Sequence, residues 1–328
     1  MQVVVPCGPE GRLPCSSAPG ADRPELDAVL ADLLARQART GEPAIADCAP
    51  AEARALARAR CATRPALPPL DIGPVEEAVL PGPHGPVPAR IYYPSGAPVV
   101  AIVYLHGGGW VTGDLETADG VARILTEASG CIVINVDYRL APEHPFPIPL
   151  DDAFAAVAWA GGQFGLPVFV AGDSAGANLA AACALRAGET GAPSLAGQLL
   201  FCPATDHDFG TGSHQKYGAG GYGLTTRDMR WFWQHYAGPR RSHRHASPLR
   251  AATLPCLPPA FVAIAGFDPL RDEGIAYANR LRSSGVPLAL RYFPSMIHGF
   301  VLLIGIVPHA EQVIRDAGRW IQDLIVRR

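Results

Sequence analysis

The sequence predicts an α/β fold in which a mostly parallel central sheet is flanked by helices on both faces, with a helical cap. Three observations carry this reading. Short apolar runs alternate with helical patterns along the second half of the chain, the arrangement that makes parallel sheets covered on both sides. The alternation is interrupted once, over residues 203–257. A helical segment also precedes the first strand.

The elements follow in order. Residues 1–25 mix Pro, Gly, Ser and Cys without periodicity and read as a flexible tail. Leu26, Val29, Leu30, Leu33 and Leu34 then recur at helical spacing, and a second, Ala/Arg-rich helix spans 51–62. Beyond the Pro-rich link 65–69, strands are expected over 75–80, 89–93 and 99–105, the last an apolar run suited to a buried strand. Helices over 118–129, 151–164 and 175–187 alternate with strands over 131–136, 168–171 and 197–201. After the interruption come strand 260–265, helix 271–284, strand 288–293 and a final helix over 310–326. The interruption contains a Gly-rich loop at 218–223 and an aromatic helix with Met229, Trp231, Phe232, Trp233 and Tyr236.

Composition narrows the function classes. With 328 residues, 48% hydrophobic and 17% charged at net charge −3, the chain can bury a large core and offers no basic footprint for nucleic acid. The one basic run, 240–245, reads as a solvated loop. No apolar stretch approaches the roughly 20 residues of a membrane span, and residues 1–6 do not resemble a secretion signal. The eight cysteines show no zinc-like spacing, so reduced core thiols in a cytoplasmic protein are expected, although Cys7 and Cys15 could pair in an oxidising compartment.

One constellation carries chemistry. Gly172-Asp173-Ser174-Ala175-Gly176 is a G-x-S-x-G run, which chance alone supplies on the order of 0.1 times in a chain of this composition. Its context is more telling: a strand before and a helix after put Ser174 on a sharp turn, hydroxyl exposed, at the positive end of a helix. His106-Gly107-Gly108-Gly109-Trp110 follows the strand ending at Leu105 and is rarer, expected on the order of 0.01 times. Its glycines let backbone N–H groups approach a developing oxyanion, and Gly107, Gly108 and Ala175 are the expected donors. Asp268 follows an apolar strand and so lies at the carboxyl edge where Ser174 emerges. Asp268-Pro269 equally suits a structural helix start, with Asp as N-cap and Pro at N1. Asp272 and Glu273 suit the helix dipole better than catalysis. His298, in the loop after the last strand, is the expected base, completing the chain order Ser, Asp, His.

These segments resemble the hormone-sensitive-lipase-like branch of the α/β hydrolases, the bacterial esterases of the G-D-S-A-G type. The similarity also covers Asp137-Tyr138-Arg139-Leu140-Ala141-Pro142-Glu143-His144-Pro145-Phe146-Pro147, Asp268-Pro269-Leu270-Arg271-Asp272-Glu273-Gly274 and His298-Gly299-Phe300, and runs from about residue 71 to the C-terminus. Two departures stand out: Ala177 replaces a Gly that many members carry, and residues 1–25 match no part of the pattern. The resemblance implies the α/β-hydrolase fold, Ser174 as nucleophile, Asp268 as acid, His298 as base, Gly107 and Gly108 as oxyanion donors, and a cap made of the N-terminal helices and the insertion.

The expected domain plan is a tail over 1–25, cap helices over 26–70, a catalytic core over 71–204 and 258–328, and a cap insertion over 205–257. The expected activity is hydrolysis of short- to medium-chain carboxylic esters, with no cofactor and no metal. Trp110, Tyr138, Phe209, Tyr222, Leu224 and Phe300 are candidates for an apolar substrate pocket. An amidase or peptidase would share the triad. A small-molecule receptor would keep the fold without a working His, and a dehalogenase or epoxide hydrolase would need Asp at position 174. A homodimer through strand 288–293 or the final helix is expected by analogy only.

Overall fold

A computed structural model describes residues 24–254 and 256–326. The expected tail therefore lies almost wholly outside the described residues, as do Cys7 and Cys15. Two helices, α1 (Ala28–Arg39) and α2 (Pro50–Ala62), precede the sheet. There follow β1 (Ile72–Leu80), β2 (Val87–Pro94), β3 (Ala101–Leu105), α3 (Leu115–Ser129), β4 (Ile132–Val136), α4 (Ile148–Phe164), β5 (Val168–Asp173), α5 (Ala175–Thr190) and β6 (Leu195–Phe201). Helices α6 (Gly212–Tyr217) and α7 (Thr226–Tyr236) occupy the insertion, and β7 (Ala260–Phe267), α8 (Arg271–Ser283), β8 (Leu288–Ile297) and α9 (Pro308–Val326) complete the order.

The sheet runs β1-β2-β4-β3-β5-β6-β7-β8. The β1–β2 and β2–β4 pairs are antiparallel, and every pair from β4 to β8 is parallel. All five residues of β3 are buried, and its alternation feeds two separate cores. Ala101, Val103 and Leu105 join a cluster with α4, α5 and α8, whereas Ile102 and Tyr104 join one with α3 and α9. A central strand buried on both faces reads as a continuous apolar run for this reason.

Two elements depart from the periodicity. Strand β8 continues past residue 293 to Ile297, because an irregularity after Ala265 lets Phe267 pair with Ile297. Helix α5 shows no polar face and is buried on all sides from Ala175 to Leu185, which explains its alanine content: larger side chains would not fit between sheet and neighbours.

Close backbone contact positions the turn between β5 and α5. A Cβ on Gly176 would lie 1.8 Å from the Leu105 carbonyl oxygen, and one on Gly172 would lie 2.4 Å from the Gly176 carbonyl carbon. Gly162, on the exposed side of α4, has nothing within 4 Å of such a Cβ. Gly176→Ala should therefore lose about 1–3 kcal/mol of stability or more, since backbone would have to move. Gly162→Ala should gain about 0.5–1 kcal/mol from helix propensity. Urea unfolding of the two variants checks both, and equal midpoints would contradict the close-approach account.

Candidate active site

Ser174 joins β5 to α5 with φ 54 and ψ −115, a left-handed conformation that costs a side-chain-bearing residue about 1–3 kcal/mol and persists only where its surroundings enforce it. The enforcement is visible. The Ser174 N–H donates to the Phe201 carbonyl at 2.8 Å, tying the turn to the end of β6, while its own carbonyl accepts the Asn178 N–H at 3.0 Å. The hydroxyl is thereby lifted off the strand direction at the carboxyl edge of the sheet.

Two later strands bring partners to the same edge. Asp268 directly follows β7 and His298 directly follows β8. His298 Nε2 lies 2.8 Å from Ser174 Oγ, and Nδ1 lies 2.8 Å from Asp268 Oδ2. The other Asp268 oxygen accepts the Leu270 N–H at 2.8 Å. Asp268 is thus both turn-forming and imidazole-facing, but the N-cap of α8 is Leu270, so the expected N-cap role is corrected. Burial works against a charged imidazole at His298. The Asp268 carboxylate, by its charge and hydrogen bond, and the more distant Asp173 and Glu273 carboxylates outweigh it, so the pKa is raised above the ordinary 6.5.

The glycine loop corrects one expected donor. The Gly107 N–H donates to Asp173 Oδ1 at 3.0 Å, and the same oxygen accepts the Tyr104 hydroxyl at 2.9 Å. A Cβ on Gly107 would lie 2.2 Å from Asp173 Oδ2. Gly107 is consequently taken up in holding the loop, not free for an oxyanion. Among the described residues, the N–H groups of Gly108, Gly109 and Ala175 donate to no protein acceptor. Burial pushes the Asp173 carboxyl pKa up, while the Tyr104 hydroxyl and Gly107 amide pull against it.

The loop is braced from behind. The His106 ring is buried, stacks on Tyr138 at 4.4 Å, and has its pKa lowered by desolvation, which favours the neutral form. The Tyr138 hydroxyl donates to the His106 carbonyl at 2.7 Å. Trp110 is fully buried and stacks on Tyr236 of α7 at 4.2 Å with the rings 5° apart. Phe300 is fully buried against Phe293 at 4.9 Å. Trp110, Tyr138 and Phe300 are therefore structural packing and leave the list of pocket candidates. Phe209, Tyr222 and Leu224 are half-buried in the insertion, Phe209 against His214 and Tyr222 against Phe267.

Three positioning groups carried no separable signal in the sequence. Asp173 sits inside the serine motif, but its partners come from β3 and from the glycine loop. Arg54 of α2 donates to the Val111 carbonyl at 2.8 Å, to the Ala141 carbonyl at 2.9 Å and to both Glu143 oxygens, pinning an N-terminal helix to the glycine loop. Glu273 is buried, and its Oε1 accepts the Thr205 and Asp206 N–H groups at 2.7 and 3.2 Å, where the insertion begins. That is more than the dipole role expected of it.

Comparison with known proteins agrees with this geometry. A family model described as the alpha/beta hydrolase fold matches residues 102–302. The chain is 44% identical over 270 residues to the carboxylic ester hydrolase LipN of Mycobacterium tuberculosis, covering 76% of this chain and 70% of LipN. It is 41% identical over 251 residues to esterase LipI of the same organism, covering 73% and 78% of the two chains. A thermostable esterase from Pseudomonas putida superposes with TM-score 0.84 at 34% identity, covering 92% of this chain and 97% of that one. With the serine turn, the glycine loop and the Asp–His pair gathered at one sheet edge, the chain belongs to the α/β-hydrolase fold family, in its hormone-sensitive-lipase-like branch.

Proposed function

We propose that this protein is a serine carboxylesterase that hydrolyses short- to medium-chain esters through an acyl-enzyme. The observation that carries the reading is His298 standing between Ser174 and Asp268 with both hydrogen bonds at 2.8 Å. Ser174 Oγ attacks the ester carbonyl while His298 Nε2 takes its proton; Asp268 holds Nδ1–H and stabilises the imidazolium. The tetrahedral oxyanion rests against the Gly108, Gly109 and Ala175 amides, the last at the positive end of α5. His298 returns the proton to the departing alcohol, leaving the acyl group on Ser174. Water then attacks with His298 as base, releasing the acid. Every step uses only these side chains, backbone amides and water.

Helices α1 and α2 and the α6–α7 insertion are read as the cap. Asp27, the N-cap of α1, donates its N–H to the Ser295 carbonyl at 3.1 Å, three residues from the base. Phe209, Tyr222 and Leu224 remain the apolar candidates for the substrate pocket. A receptor on this scaffold has no need of a base in contact with the serine, which favours the enzyme reading. Among the described residues no helix is long and apolar enough to cross a membrane. A cytoplasmic setting is supported by the buried free thiols Cys131, Cys183 and Cys202, and a homodimer by the open outer edge of β8.

The proposal carries several expected outcomes. Ser174→Ala should lower turnover of p-nitrophenyl butyrate by about 10⁶-fold and abolish labelling by a fluorophosphonate; unchanged hydrolysis would end the proposal. Across p-nitrophenyl esters of graded length, kcat/KM should peak at short to medium acyl chains, with the matching anilide inert. Because His298 must be neutral to accept the serine proton and its pKa is raised, kcat/KM should fall as pH drops through a midpoint above 6.5. Asp268→Asn should lower kcat by about 10⁴-fold and move that midpoint to lower pH. Finally, Asp173→Ala, which strips the Gly107 amide and Tyr104 hydroxyl of their acceptor, should cost about 100-fold in kcat with little change in KM. Asp173→Asn, whose amide oxygen still accepts, should recover most of the loss. Equal kinetics for the two would remove Asp173 from the positioning of the loop.

A further inference from the structure

One buried nucleophilic group beside the triad has no part in the proposed reaction. Cys202 follows the last residue of β6, and its N–H donates to the Ala263 carbonyl of β7 at 2.8 Å. Its φ of 46 is left-handed, rare for a side-chain-bearing residue. The turn brings the thiol to the Asp268–His298 pair. The Cys202 sulfur, a carboxylate oxygen of Asp268 and a ring nitrogen of His298 all lie within 4.8 Å of one another. Thiolate, carboxylate and imidazole together are the mixed donor set that zinc and its heavier congener cadmium take.

We propose that Cys202, Asp268 and His298 form a latent inhibitory site for a soft divalent cation, zinc or cadmium, which binds in competition with the working hydrogen bond of the base. Burial pushes the Cys202 thiol pKa up, and the Asp268 carboxylate adds to this, so without a cation the group stays protonated. A thiolate beside that carboxylate would place two negative charges together, and a divalent ion neutralises both. Metal–ligand lengths of about 2.0 to 2.3 Å put tetrahedral donors about 3.3 to 3.7 Å apart. The site therefore closes by movements of about 1 Å, with the 2.8 Å Asp268–His298 contact opening slightly.

The proton balance explains the inhibition. The cation takes the Nδ1 lone pair of neutral His298, whose single proton moves to Nε2. The thiol proton passes to solvent, and no electron is transferred. With Nε2 protonated, His298 no longer accepts the Ser174 proton. Because Cys202 is 2% exposed and the Asp268 and His298 side chains 1% and 10%, the ion enters only through an opening fluctuation, and inhibition should develop slowly.

The inhibition readout rests on the esterase reading, so the test has a second arm that does not. In the first arm, the wild-type protein is pre-incubated with ZnCl₂ or CdCl₂ and assayed with p-nitrophenyl butyrate. Time-dependent loss reversed by EDTA is expected. Cys202→Ser and Cys202→Ala should keep the basal rate but need more than about ten-fold higher cation, the least that losing even an outer-shell partner costs a metal site. In the second arm, cadmium is titrated into Ser174→Ala and into Ser174→Ala/Cys202→Ala, following the ultraviolet cadmium–thiolate absorption. The difference should correspond to one additional thiolate-bound ion. Resistance of the wild type to millimolar cation, equal sensitivity of the Cys202 variants, or identical cadmium titrations would each overturn the proposal. Failure of the esterase reading would show separately, as no turnover before any cation is added.

Discussion

The site depends on how closely two parallel strands and the turn leaving one of them approach each other. The Leu105 carbonyl at the end of β3 occupies the space a side chain on Gly176 would need, and Gly172 meets the Gly176 backbone in the same way. That contact clamps the start of α5 against the strand that leads into the glycine loop. The left-handed backbone of Ser174 follows, because a turn this tight leaves no room for the strand conformation to continue. Exposure of the hydroxyl is therefore a consequence of packing, and the strain it carries is held by the sheet.

Electrostatics adds what packing alone cannot. Asp173 is buried, and one of its oxygens gathers the Tyr104 hydroxyl and the Gly107 amide. The first glycine of the loop is thus spent on structure, while the Gly108 and Gly109 amides donate to no acceptor among the described residues. The same carboxylate, together with Asp268 and Glu273, favours a protonated His298 against the cost of burial. A base with a raised pKa is a stronger proton acceptor once it is neutral, which suits attack by a weakly acidic hydroxyl.

The segments outside the sheet are joined to it by apolar packing and by specific polar contacts. Arg54 ties α2 to the carbonyls of Val111 and Ala141 and to Glu143, so an N-terminal helix is fastened to the loop that carries the free amides. Trp110 reaches the other way, stacking on Tyr236 of α7. Glu273 holds the start of the insertion, and Ser213 of α6 donates its hydroxyl to the Pro269 carbonyl at 2.6 Å, one residue beyond the acid. Both helical segments therefore lean on the loops that carry the glycine run and Asp268.

Apolar periodicity and motif position are enough to give the layered α/β architecture and the order of nearly all the strands and helices, and to single out Ser174, Asp268 and His298, which the structure joins by hydrogen bonds through His298. Those properties are local: apolar periodicity marks an element, and a motif at a strand end marks the carboxyl edge. Long-range packing sets which glycine amides lack a protein acceptor, carries β8 on to Ile297, and puts Trp110, Tyr138 and Phe300 in the core. It alone placed Arg54 and Cys202 where they stand. Each of these rests on contacts between residues far apart in the chain, and an amide or an aromatic ring carries no local mark of what will cover it.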